Sequence, residues 1–246
     1  MNLGDPDLAE KYSALPCDGI GLMREEFIWT TYIHEHPLYL IKTGHPEKVV
    51  DQLAEGIRQV CQAMAPRPVT LRFSDFKSSE YRDLKGGDEF EPYEPSALLG
   101  WRGASRYYDP KYVEAFKLEC QAVRKVREEF GLKNLNVMIP FCRNVEECEK
   151  VTAIMAGEGL VRGKDFKVWL MAEFLPILFL PTSSTNMLTV TPSALTTLPC
   201  LFWAATVTTT PYPIFMTNAI WQYAVQSATL SKLPIKTAKP FPSAAR

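Results

Sequence analysis

Over residues 1–173, short runs of consecutive apolar residues alternate with longer segments in which apolar positions return every three or four residues. Gly19–Met23, Pro68–Phe73, Asn136–Phe141 and Lys167–Met171 are runs of the first kind and predict buried strands. Pro46–Met64 keeps Val49, Val50, Leu53, Ile57 and Val60 on one side, Pro110–Phe130 repeats the pattern with Val113, Phe116, Leu118, Val123 and Val126, and Val145–Ala156 reads as a third helix. Between Phe73 and Gly100 the chain is polar and broken by Lys85-Gly86-Gly87 and two prolines, which reads as a long connection. Continuously apolar strands separated by amphipathic helices predict a parallel sheet covered on both faces. A doubly wound sheet and the first half of a (β/α)8 TIM-type barrel both satisfy this pattern.

The charged residues separate the two. Arg24, Arg72, Arg143 and Glu173 each stand at or just past the end of a predicted strand. In a parallel barrel the carboxyl ends of the strands open on one face, where the active site lies. Arg24, Arg72 and Glu173 are then expected to converge. Guanidinium groups offer planar forks of donors for phosphate and carboxylate oxygens, and a carboxylate beside them suits a hard divalent cation such as Mg²⁺. The set points to a small, multiply anionic substrate.

Composition divides the chain at the last predicted strand. Residues 174–246 contain no Asp, Glu or Gly, whereas residues 1–173 hold all 28 acids and all 13 glycines. Average usage gives such an absence odds of about one in several million. The expected organisation is a half-barrel over 1–173 and an irregular, non-native tail over 174–246. A net charge of −1 argues against a nucleic-acid or anionic-membrane surface as main partner. Leu198–Val225 is long enough to span a bilayer, but Pro199, Pro211, Pro213, Asn218 and Gln222 dilute it, so no membrane segment is expected. Six cysteines without a CxxC pair fit a reducing cytoplasm, with Cys142 and Cys148 as buried thiols. His34 and His36 resemble a chelating pair, yet without a third ligand a loop or surface role is favoured.

Gly19–Phe27 (GIGLMREEF), His36-Pro37, Val69–Asp75 (VTLRFSD), Lys85-Gly86-Gly87, Gly100–Tyr107 (GWRGASRY), Val137–Phe141 and Met171-Ala172-Glu173 form an ordered set over nearly all of residues 1–173. This set resembles the C-terminal PEP/pyruvate-binding barrel of the PEP-utilising enzymes, nearest to phosphoenolpyruvate synthases. Pyruvate phosphate dikinases and the PEP-binding enzyme of the sugar phosphotransferase system are wider relatives. The resemblance implies that Arg24, Arg72 and Arg102 hold phosphoryl and carboxylate oxygens and that Glu173 ligates Mg²⁺ and touches pyruvate or PEP. It implies a pyruvate, water dikinase reaction, in which PEP forms from pyruvate and ATP through a phosphohistidine on a separate domain. Ser96-Ala97 departs from the family's Asn-Pro before the GWRG loop and is expected to alter a turn.

After Glu173 the resemblance stops. Adding one base before suitable codons for Phe174–Leu178 permits Ile-Pro-Ser-Asn-Ile, as the family continues. The same offset at Thr191–Thr197 permits Tyr-Ser-Ile-Gly-Ser-Asn-Asp, and at Pro240–Arg246 Thr-Val-Ser-Ile-Cys-Gly-Gln, the family's metal-site and catalytic-cysteine motifs. A frameshift is the expectation. The chain would then lack a catalytic residue; the ATP-binding and phosphohistidine domains are also expected to be missing from it, and the chain alone is expected to be inactive. The alternatives are a non-catalytic fragment with residual anion binding, or a barrel of the dikinase or phosphotransferase-system type. Open sheet edges in half a barrel would recruit another chain, a homo-oligomer included.

Overall fold

The computed structural model describes residues 1–94 and 100–171, together with the backbone of Thr189 and Val190. All of them belong to one compact unit of the chain. The chain opens with β1 (Asn2–Leu3), a 3-10 turn at Pro6–Leu8 capped by Asp5, and α1 (Ala9–Ser13). Strand β2 (Ile20–Arg24) leads into α2 (Glu26–Ile28), which widens to a π-turn over Trp29–Ile33. Then come α3 (Pro37–Lys42), α4 (Pro46–Met64) and β3 (Val69–Arg72). Three short helices follow, α5 (Ser78–Arg82), α6 (Gly87–Phe90) and α7 (Ala104–Tyr107). The rest is α8 (Val113–Glu128), β4 (Leu135–Ile139), α9 (Val145–Gly157), β5 (Val168–Leu170) and the backbone strand β6 (Thr189–Val190).

These strands form one sheet in the order β1-β2-β3-β4-β5-β6, every neighbour parallel. A doubly wound sheet would reverse its order at a switch point, whereas a barrel adds strands consecutively. The order identifies an arc of an α/β barrel, as the strand-exit arginines implied. In register, Arg24 lies opposite Arg72 and Arg72 opposite Met138, so β2, β3 and β4 leave the sheet at one level.

The apolar stripes explain why the helices sit where they do. Val49, Leu53, Ile57, Val60, Cys61 and Met64 of α4, with Phe116, Val123 and Val126 of α8, are fully buried, and the two helices pack on each other beside β3. Burying a side chain of this size stabilises by roughly 1.5–3 kcal/mol, so a charge placed at Val60 would break the α4 face. Arg127 ties the opposite end of the sheet from the arginines: it donates to the carbonyls of Lys133 (3.0 Å), Leu135 (2.5 Å) and Asp165 (2.8 Å), joining the approaches to β4 and β5.

The polar stretch after β3 is more ordered than its sequence suggests. Gly86 takes a left-handed φ of 79°, and a Cβ on Gly87 would stand 2.0 Å from the carbonyl oxygen of Tyr81. The Lys85-Gly86-Gly87 turn thereby folds α6 tightly against α5 instead of forming an open loop. Ser96-Ala97 lies outside the described residues.

Candidate anion-binding site

At the carboxyl ends of β2 and β3 a cavity of about 970 Å³ opens. Arg24, Arg72 and Arg102 line it with Glu26 and Asp75, and Phe27, Thr30, His34, Lys77 and Lys85 extend its wall. Arg24 is exposed at the end of β2. Arg72 Nη2 donates to Glu26 Oε1 at 2.8 Å, and its Nη1 lies 3.1 Å from Asp75 Oδ2. Arg102 approaches from the other side and grips Asp75 with both forks, Nε to Oδ1 at 2.6 Å and Nη2 to Oδ2 at 2.9 Å. Asp75 is therefore the hub between two guanidinium groups, and its backbone N–H donates to Glu26 at 2.6 Å. An oxyanion entering here would meet arginines that are already oriented and would compete with the carboxylates for their donors.

Backbone geometry places Arg102. Gly103 has φ 57°, and a Cβ there would come 2.6 Å from the Pro140 carbonyl oxygen, so glycine lets the 100–104 segment lie directly on the β4 exit. Ala104 N–H donates to that same carbonyl at 3.0 Å. Phe141, itself held at φ 46°, presents its ring 3.8 Å from the Arg102 guanidinium. A left-handed phenylalanine is costly and persists where its surroundings enforce it. Here its ring is the platform of the arginine.

Behind the cavity wall lie two buried carboxyls. Glu119 of α8 accepts the backbone N–H of Ser74 at 3.2 Å and the Ser74 hydroxyl at 2.6 Å; Tyr81 donates to that hydroxyl, and Tyr107 to the Ser74 carbonyl. Burial, opposed by the two Ser74 bonds, pushes Glu119 up to about 8. Glu25, whose Oε1 receives the Trp29 indole N–H at 3.2 Å, is raised by burial and then by the neighbouring charge of Glu119. At neutral pH this pair holds at least one proton. The arrangement fastens Ser74, the residue just before Asp75, onto α8.

The model of the "PEP-utilising enzyme, PEP-binding domain" family matches residues 1–183. The chain belongs to that family. Among relatives, it is 59% identical over 180 residues to a probable phosphoenolpyruvate synthase of Staphylothermus marinus, covering 73% of this chain and 22% of that one. The phosphoenolpyruvate synthase of Aeropyrum pernix is 52% identical over 188 residues, 76% of this chain and 23% of that one. That of Synechocystis is 46% identical over 195 residues, 70% of this chain and 24% of that one. The chain thus spans less than a quarter of the length of these relatives.

As a member of the PEP-utilising enzymes, the chain brings Arg24, Arg72 and Arg102 to one cavity. The fourth expected residue, Glu173, lies outside the described residues. Arg143 is turned elsewhere: it donates to the carbonyl oxygens of Phe141 and Gly100, at 3.3 and 3.1 Å, and is not among the cavity's lining residues. Glu26 and Asp75 were missed in the sequence, although both sit within three residues of an expected arginine. Among the described residues no group of three His, Cys, Asp or Glu side chains is placed to hold a metal ion. Asp75 spends both oxygens on arginines, so the described part of the site does not by itself fit Mg²⁺.

Two histidines go different ways. His34 lines the cavity, whereas His36, in the loop that enters α3, is fully buried against Glu91, which corrects the surface half of the loop or surface role expected of it. Its burial follows from α3, for which His36 is the N-cap: Nδ1 accepts Leu38 N–H at 3.2 Å. Cys142 and Cys148 are buried free thiols, as expected. Among the described residues no helix is long and apolar enough to cross a membrane, and Leu198–Val225 lies outside them.

Proposed function

We propose that the cavity binds PEP and pyruvate, and that the chain carries the PEP/pyruvate half-site of a pyruvate, water dikinase. The convergence of Arg24, Arg72 and Arg102 at the strand exits supports this reading most directly. Arg72 and Arg102 are separated only by Asp75, a span that suits the phosphoryl and carboxylate groups of one three-carbon acid. Arg24 stands opposite Arg72 in the sheet register and adds a third positive charge. These side chains neutralise the anion and orient it with its reacting carbon toward the open face. Magnesium, with Glu173 as ligand, belongs to the same proposal; it would polarise the enolate oxygen, and the described residues contribute the oxyanion contacts alone.

In this reading ATP and the phosphohistidine act from the remaining portion of a longer parent protein in the cytoplasm. The chain alone does not turn over PEP or pyruvate, because a frameshift after Glu173 replaces the second acidic ligand and the catalytic cysteine. Sequencing the gene tests this: an in-frame nucleotide sequence without the Gly-Ser-Asn-Asp and Cys-Gly-Gln codons at the shifted offset removes the frameshift. Titration with PEP in the presence and absence of Mg²⁺ tests the site. Arg72→Ala should abolish the binding signal, and an unchanged signal would show that the anion binds elsewhere.

A further inference from the structure

Among the described residues Arg106 is the most enclosed cation, and it is not one of those lining the cavity. It lies four residues after Arg102, yet its side chain turns inward and is fully buried. Its guanidinium donates to both oxygens of the buried Glu91, with Nη2 to Oε2 at 2.8 Å. Nη2 also reaches Ser78 Oγ at 3.3 Å. The rings of Trp101, Tyr81 and Tyr112 surround it at 4.1, 4.5 and 5.0 Å. Glu91 is in turn held by His36, whose Nε2 lies 3.0 Å from Oε1. Since His36 Nδ1 accepts from Leu38, the ring proton sits on Nε2 and points at Glu91.

The remaining Arg106 donors carry the consequence. Nε and Nη2 both bond the carbonyl oxygen of Trp101, at 3.3 and 2.9 Å. That carbonyl belongs to the peptide bond whose nitrogen is Arg102's own, and the bond is planar. On its other side, Trp101 N–H is held by Glu94 Oε1 at 2.8 Å, and Glu94 is held by Ser78 at 2.8 Å. Both backbone ends of Trp101 are thereby fixed, which sets the point from which the Arg102 side chain departs toward Asp75. A lysine at 106 could satisfy Glu91 or Trp101 but not the full fork.

The geometry points to Arg106 as a positioning residue: through the Trp101 carbonyl it holds Arg102 in line with Asp75, with Glu91 and His36 as its backing. This inference rests on the reading of Arg102 as an anion-binding arginine only for its functional effect; the positional claim stands on the hydrogen bonds. Glu91, raised by burial but lowered further by its bonds to His36 and Arg106, stays ionised and keeps the fork in place.

The test uses the full ¹⁵N-labelled chain and the side-chain Nε–H resonance of Arg102, assigned by its loss in Arg102→Lys. In Arg106→Lys and in the milder Glu91→Gln, exchange of that proton with water should accelerate roughly tenfold as its bond to Asp75 loosens. The backbone amide of Phe73, bonded to the Met138 carbonyl at 3.0 Å, should keep its rate. Should Arg106→Lys fail to fold, Glu91→Gln carries the test. An unchanged Arg102 rate in a folded variant overturns the assignment, and so does equal acceleration at Arg102 and Phe73, which marks generic loosening. PEP is then added: wild-type binding that weakens in Arg102→Lys and in Glu91→Gln supports transmission to the ligand. Binding that weakens in Arg102→Lys alone overturns it. A wild-type chain without PEP-dependent shifts overturns the anion-site reading, and the exchange rates still decide the positional claim.

Discussion

Glu119→Gln should make this protein more stable at high pH while leaving it almost unchanged at low pH. The carboxyl is fully buried, and the fold raises it from an ordinary value of 4.5 to about 8. An acid raised in this way keeps its proton in the native state while the unfolded chain gives it up. The native state then binds more protons, so stability is fully present below pH 4.5 and is lost as pH climbs through 8. At about 1.4 kcal/mol per unit, the wild type forfeits on the order of 5 kcal/mol across that window, shared with Glu25 because the two carboxyls titrate as a pair. Glutamine mimics the protonated acid: its carbonyl oxygen accepts the Ser74 N–H and its amide donates to the Ser74 hydroxyl. Urea denaturation of both chains at pH 5, 7 and 9 provides the measure. The difference should be within about 1 kcal/mol at pH 5 and several kcal/mol in favour of the variant at pH 9. A difference that does not vary with pH would show that Glu119 is not held protonated by the fold.

Other outcomes follow from the same structure. Gly103→Ala places a Cβ against the Pro140 carbonyl at a φ that favours glycine, and should lower stability by roughly 1–3 kcal/mol, read as a shift in the urea midpoint. On the acid side, burial holds His36 below its ordinary 6.5, and Glu91 sits below 4.5, so stability should fall as pH drops through these values; His36→Gln should flatten the upper part of that limb in the same denaturation series. PEP affinity should weaken as salt is raised from 0.05 to 0.5 M, roughly the range over which screening of partly exposed guanidinium groups becomes strong, and salt-independent binding would argue against an arginine-held anion.

The long elements were legible because their periodicity is a local property. Pro46–Met64 begins and ends as α4 does, and the strands expected around Ile20, Val69, Val137 and Val168 appear within one or two residues. The two-residue β1 is too short to leave a pattern, and α5, α6 and α7 lack an apolar stripe long enough to read. At the site, Arg24 and Arg72 announced themselves by falling at strand exits, whereas Arg102 was legible only through the family resemblance. Asp75 and Glu26 did not, since an acid's meaning here comes from which cation reaches it across the sheet, and Arg102 comes from 27 residues away in the chain. Arg106 stands in a basic, aromatic stretch whose sequence alone does not say which way its side chain turns. Only the fold reveals that Trp101, Tyr81 and Tyr112 enclose it.

Consecutive strand order also governs how such a cavity comes into being during synthesis. Among the described residues, every side chain lining it lies between Arg24 and Arg102, within the first half of the 246-residue chain, and each new strand pairs with the one made just before it. A growing polypeptide leaving the ribosome can therefore gather its cationic pocket early, and needs only β4 and the Phe141 ring to seat the last guanidinium. Alterations far downstream act on a receptacle whose charged lining has already been translated.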